Sequence, residues 1–234
     1  MSEISRISGV FFEPKKAFAD IAARPRWIVP LLLVIVFSFG VIAAYNQRGL
    51  MRISAEQQMA KSPQIAQLPP DQREAAIERG VKIGSIVGYA IPVVIPVMFL
   101  IIALVLWGIT AGILSAPVRF IQVFAIVCYA QLPGVLKGIL TTAVAYMKNP
   151  GDFNIQNPLM FNPGAFMDPT TAPKFAYTVA TWLDLFAIWI ILLIAVGLKA
   201  AAGKKLSFGG ALFAVVLPWA LCVLVSAAFA TMMG

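Results

Sequence analysis

The chain has 234 residues, 60% of them hydrophobic and 12% charged, with a mean hydropathy of +0.87, against roughly 45–50% apolar and about 25% charged in soluble domains. That composition excludes a water-soluble globular protein. The 18 Lys/Arg against 10 Asp/Glu leave a net charge of +8, but the cations sit in connecting segments and not on one basic face interleaved with aromatics. They read as topology signals for anionic lipid surfaces, with no nucleic-acid partner.

Residues 1–26 carry charges throughout, including Glu3, Glu13 and Asp20, and lack the short apolar stretch of a cleavable signal. The segment mixes apolar and cationic residues, with Pro14 suited to a first helical turn and Phe18 and Ile21 on one face. It is expected to be a cytosolic or interfacial amphipathic helix whose Lys15 and Lys16 reach lipid phosphates. A plain polar lead-in is the alternative.

Residues 27–234 form the expected membrane domain. Five apolar spans are expected, at 27–45, 84–114, 120–147, 175–198 and 207–233, each long enough for a bilayer that needs about 20 residues. Hydrocarbon offers no backbone partners and the runs lack a barrel's alternation. The expected fold class is therefore an all-α integral membrane protein, a five-helix bundle. The second span is too long for a hydrocarbon core of about 30 Å, and Pro92 and Pro96 are expected to bend it.

The polar connector 46–83 predicts two short helices, with a capping-box pattern at Ser54 and Gln57 and a second charged stretch from Pro69-Pro70-Asp71 to Lys82. The connector 148–174 carries Pro150, Pro158, Pro163, Pro169 and Pro173, which opposes regular structure. Its clusters Leu159-Met160-Phe161 and Ala165-Phe166-Met167 are too apolar for a free loop, so an ordered lid over one membrane face is expected, with a flexible linker as the alternative.

An amino terminus inside puts nine Lys/Arg in cytoplasmic segments against eight outside. The count is nearly tied, and Arg24 and Arg26 abutting the first span favour that orientation, with the carboxyl terminus outside.

Within the spans, Asp184 is the only acid and Lys137 the only cation. Intramembrane charges usually face the protein interior and find partners. Counted from the 148–174 connector, their depths are about 15 Å for Lys137 and about 13.5 Å for Asp184 at about 1.5 Å per residue, which suggests an ion pair or water-bridged pair. The alternative is a lysine that snorkels to the headgroups beside an independently solvated acid. Tyr129, Gln131 and Pro133 complete the candidate polar site. Pro133 cannot donate to the Tyr129 carbonyl, so a mid-membrane bend is expected, with Gln131 able to satisfy the freed acceptor. A broken helix with polar groups at the midplane also fits a transporter's substrate site, and packing glue is the favoured reading.

Glycines at spacing four, Gly84 and Gly88, Gly108 and Gly112, and Gly134 and Gly138, mark close-packing faces within the protein or between copies, so a homo-oligomer is open. No histidine exists to build Ser/His or Cys/His dyads, one intramembrane acid cannot make a carboxylate pair, and Cys128 and Cys222 sit in apolar runs. An enzyme, a metal site and a cofactor are not expected.

Pro14 and Phe18 ahead of Pro25, the run Cys128-Tyr129-Ala130-Gln131-Leu132-Pro133, then Asp184-Leu185-Phe186-Ala187-Ile188-Trp189, Gly197 and a small cationic turn together resemble the Yip family, the Ypt/Rab-interacting membrane proteins and their prokaryotic relatives. The resemblance covers nearly the whole chain. It implies five membrane helices, a cytosolic amino terminus, no catalytic centre and, in eukaryotes, binding of Rab-type GTPases. The 26 residues ahead of the first span depart from the eukaryotic pattern, which weighs against GTPase binding and favours a prokaryotic-type member. The expected role is a non-enzymatic protein of a bacterial inner membrane that organises or binds membrane components, lipid or another membrane protein. The alternative is a small permease or lipid-translocating protein using a polar midplane site.

Overall fold

The computed structural model describes residues 1–60, 68–154, 157–168 and 171–233. Among the described residues the fold is all-α, and five helices are long and apolar enough to cross a membrane: Ile28–Gln47, Ile91–Ile113, Phe120–Met147, Leu185–Lys205 and Phe208–Met232. We number the α-helices α1 (Glu3–Phe12), α2 (Pro14–Ala23), α3 (Ile28–Gln47), α4 (Leu50–Ala60), α5 (Pro70–Tyr89), α6 (Ile91–Trp107), α7 (Phe120–Ala130), α8 (Leu132–Met147), α9 (Lys174–Trp182), α10 (Leu185–Ala202) and α11 (Phe208–Met233). A π-helical turn, Gly108–Ile113, extends α6.

The apolar runs divide differently from their expected limits. Residues 84–89 belong to α5, and the next helix restarts at Ile91. Pro92 therefore occupies a first turn, where its missing N–H costs nothing, and only Pro96 lies inside the helix. The run expected to span from 175 is two helices, because Leu183 ends α9 and Asp184 caps α10. Ser54 lies inside α4, not at its start, so it opens no capping box there. The side chain of Gln57 lies outside the described residues, as does Pro169 in the proline-rich connector.

The chain forms two compact units. One comprises Met1–Val34, Pro96–Lys137 and Met160–Gly234. In it α2 packs on α7 and α10, and α10 packs on α11. Val10, Ala17, Phe18 and Ile21 are fully buried. The apolar face expected to rest on lipid is thus covered by the protein's own helices. Phe11 meets Trp189 edge to face with ring centroids 5.7 Å apart, and seven residues later Phe18 lies against Gly197, eight residues further along α10. Phe11 lies in the last turn of α1, three residues before α2 begins, so α2 starts near Trp189 and by Phe18 has reached Gly197: it runs alongside α10, in the same direction.

Gly197 makes this approach possible. A Cβ there would stand 2.4 Å from Ile126 Cγ2 and 3.0 Å from Phe18 Cδ1. Replacing an interior helical glycine by alanine normally gains up to about 1 kcal/mol. Here overpacking reverses the sign, and Gly197→Ala is expected to lose about 1–3 kcal/mol, seen as a lower thermal unfolding midpoint in mild detergent. A variant as stable as the parent contradicts the packing.

The other unit comprises Ile35–Ile95 and Gly138–Leu159. Tyr45, Leu50, Ala145 and Phe153 form its core, so the proline-rich connector contributes a buried aromatic ring. Arg48 donates to the Lys148 carbonyl at 2.9 Å and lies over the Tyr146 ring. Arg52 bridges Glu56 and Glu74. Gly88 and Gly138 receive Ile42 and Val41 respectively, whereas Gly108, Gly112 and Gly134 have no atom within 4 Å of where a Cβ would stand. Among the described residues, those three meet no neighbouring helix at the Cβ position.

Candidate functional site

Asp184 is held at a helix start and not within a helix body. An aspartate suits that position because its carboxylate accepts N–H groups that lack a partner in the first turn. Oδ1 accepts from the backbone N–H of Phe186 at 3.0 Å and Ala187 at 3.3 Å. The N–H of Leu185 donates to the Phe161 carbonyl and that of Ile188 to the Asp184 carbonyl, both at 3.0 Å. All four donors of the first turn of α10 are thereby satisfied, as a low-dielectric setting requires.

The second carboxylate oxygen of Asp184 faces Lys137 Nζ at 3.2 Å. The acid is 8% exposed and the lysine 38%. Lys137 lies on α8, which begins after α7 is interrupted at Gln131. The N–H of Gln131 reaches the Val127 carbonyl at 3.2 Å, and Gly134 N–H reaches the Gln131 carbonyl at 2.9 Å. Gln131 and buried Pro133 mark this interruption. The connector meets the start of α10 here: the Phe161 ring meets Phe186 edge to face at 5.8 Å. Asn162 accepts the Ala165 N–H, which fixes the 3₁₀ turn Pro163–Phe166.

Tyr129 belongs to a different cluster. Its hydroxyl donates to Glu3, and so the five polar positions grouped on sequence grounds divide between two places. Sequence reasoning missed this second cluster. Arg6, only 1% exposed, donates through Nε to Asp20 Oδ2 at 2.7 Å and lies 3.5 Å from Glu3. Arg24 also pairs with Asp20, and Arg26 lies 3.8 Å from Glu3. The side chain of Gln122 donates to the Ala22 carbonyl at 2.8 Å. The hydrogen bond from Arg24 holds the Asp20 carboxyl well below the usual carboxylate range; burial opposes this, and Arg6 adds to it. Burial works to lower Arg6, but its bonds to Asp20 and Tyr129 prevail and its pKa rises. A guanidinium with bidentate partners tolerates burial far better than an isolated charge. The available signal was the spacing of Arg6 and Asp20 on helices joined by a one-residue turn, which sets them side by side.

Together the two clusters do structural electrostatic work: one joins α8 to the start of α10, and the other pins the α1 and α2 hairpin to α7. Among the described residues no group of three or more His, Cys, Asp or Glu is placed to hold a metal ion.

The chain matches the Yip1 domain over residues 8–229 and belongs to that family. No curated protein and no solved structure matches it.

Proposed function

We propose that this member of the Yip1 domain family is a non-enzymatic, prokaryotic-type protein of a bacterial cytoplasmic membrane that binds or organises other membrane components, with its amino terminus in the cytoplasm. The observation that carries this reading is the commitment of Asp184. Both carboxylate oxygens are occupied, by two backbone N–H groups and by Lys137, so the acid on which a midplane transport site would turn is spent on architecture. A groove of about 210 Å³ in the second unit gives transport no support either. It is lined by Phe37, Gly40, Val41, Ile139 and Thr142, and the Thr142 hydroxyl donates to the Gly138 carbonyl.

The test is reconstitution. Purified protein in liposomes is expected to move neither a fluorescent lipid nor a trapped solute faster than protein-free vesicles. Transport that disappears in Asp184→Asn would replace this reading with that of a permease or lipid-translocating protein.

A further inference from the structure

The connecting segments on the amino-terminal side of the membrane carry nine cations and three acids, Glu3, Glu13 and Asp20, whereas those on the other side carry eight cations and six acids. The first unit gathers most of the former at one end. Phe18 and Ile126 both lie on Gly197, and four residues on, Ala22 bonds Gln122, so the end of α2, the start of α7 and the end of α10 lie at a common level. Arg24, Arg26, Arg119, Lys199, Lys204 and Lys205 stand there.

Some of these charges are already used. Arg24 and Arg26 are paired with Asp20 and Glu3, and the Lys199 ammonium donates to the Gly203 carbonyl at 2.5 Å. Arg119, Lys204 and Lys205 are exposed and have no carboxylate within 4.0 Å among the described residues. Each stretch of cations is followed within three residues by an exposed apolar side chain: Ile28 after Arg26, Ile121 after Arg119 and Phe208 after Lys205. Three separate elements therefore change from cation to hydrocarbon at one level. A soluble acidic protein would match only the cationic part. A phospholipid with an anionic headgroup matches both, with phosphate on the collar and acyl chain on the apolar residues beneath it.

We infer that this collar is a binding site for the phosphate headgroups of anionic phospholipids, with Arg119, Lys204 and Lys205 as the residues free to hold them. The inference rests on the membrane-organising reading and names one of the components bound. Each cation near an anionic surface contributes about a fivefold factor.

The full-length protein is incorporated into nanodiscs of one part phosphatidylglycerol to four parts phosphatidylcholine, extracted mildly, and its retained lipids are quantified by mass spectrometry. The parent is expected to retain phosphatidylglycerol above its share. In the combined variant Arg119→Gln, Lys204→Gln, Lys205→Gln that preference is expected to fall roughly a hundredfold. Arg79→Gln, Lys82→Gln, Lys174→Gln, which removes three exposed cations from the opposite-side connectors, is expected to keep it. Lys204→Gln and Lys205→Gln alone, on a three-residue turn, are expected to give about fivefold each and serve if the combined variant misfolds. An unchanged preference in the collar variants, or an equal loss in the control, overturns the site. Its failure is separable from that of the functional reading: transport with an intact lipid preference removes the organising role and leaves the collar, while lost preference without transport does the reverse.

Discussion

Arg6→Ala is expected to be among the most damaging single substitutions, at about 3 kcal/mol, the lower end of the range for removing one partner from a buried ion pair. The guanidinium is 2% exposed and bonds Asp20 through Nε. Its removal strips Asp20 of one cation while leaving Arg24, hence the lower figure. The hairpin of α1 and α2 should then loosen from α7 and α10. Two measurements check this: a thermal unfolding midpoint lower by roughly 6–12 °C at about 2–4 °C per kcal/mol for a chain of this size, and faster tryptic cleavage after Lys15 or Lys16. Arg6→Lys keeps the charge but not the planar fork, so it should fall between parent and alanine variant. A variant with both readouts unchanged would show that the network contributes nothing to holding the hairpin.

The same network sets a dependence on pH. The folded-state pKa of Asp20 lies below its unfolded value, so its contribution is fully present above the ordinary carboxylate range near pH 4 and drains away as pH falls through that range towards the folded value. Acidification from pH 7 to pH 5 should therefore leave the hairpin's protease resistance intact. Further acidification should erode it in the parent, and less so in Asp20→Asn.

The pair of Lys137 and Asp184 should behave as one unit in a mutant cycle. Asp184→Asn retains a side chain able to cap α10 but loses the charge, and is expected to cost about 1–2 kcal/mol. Asp184→Ala loses the cap as well, at about 1 kcal/mol more. Lys137→Met leaves a carboxylate that is 8% exposed without its cation, for about 2–3 kcal/mol. Combining Lys137→Met with Asp184→Asn removes both charges and keeps the cap, so the double variant should be no worse than the poorer single one, a coupling of at least about 1 kcal/mol. Losses that simply add would mean the two groups do not stabilise one another.

That pair shows how a correct proximity can be legible for an incomplete reason. Measuring depth along two supposedly continuous spans brought Lys137 and Asp184 together, yet the fourth run is not continuous. Asp184 stands at its break, and its residue type is the signal: an aspartate immediately before Leu-Phe-Ala is a helix start, even where both flanks are apolar enough to read as one span. Pro92 carried the same kind of message for the break at Ala90. The glycines were less informative. The spacing of four singled out Gly108, Gly112 and Gly134, which face open space, while Gly197, in no such pair, lies under Ile126 and Phe18.

The sequence by itself determined the helical class and the number of membrane-length helices, because the transfer of long uncharged runs into hydrocarbon is additive along the chain and needs no knowledge of neighbours. It also limited the charges within the five long apolar runs to one of each sign. Only the tertiary structure decided what covers the amino-terminal apolar face, since Phe18 and Ile21 would satisfy a lipid surface and a protein groove equally well, and the choice falls to helices more than a hundred residues away. The same holds for the cluster around Arg6: the one-residue turn sets Asp20 and Glu3 beside it, but its closure by Tyr129, 126 residues from Glu3, is set by packing that no local pattern encodes.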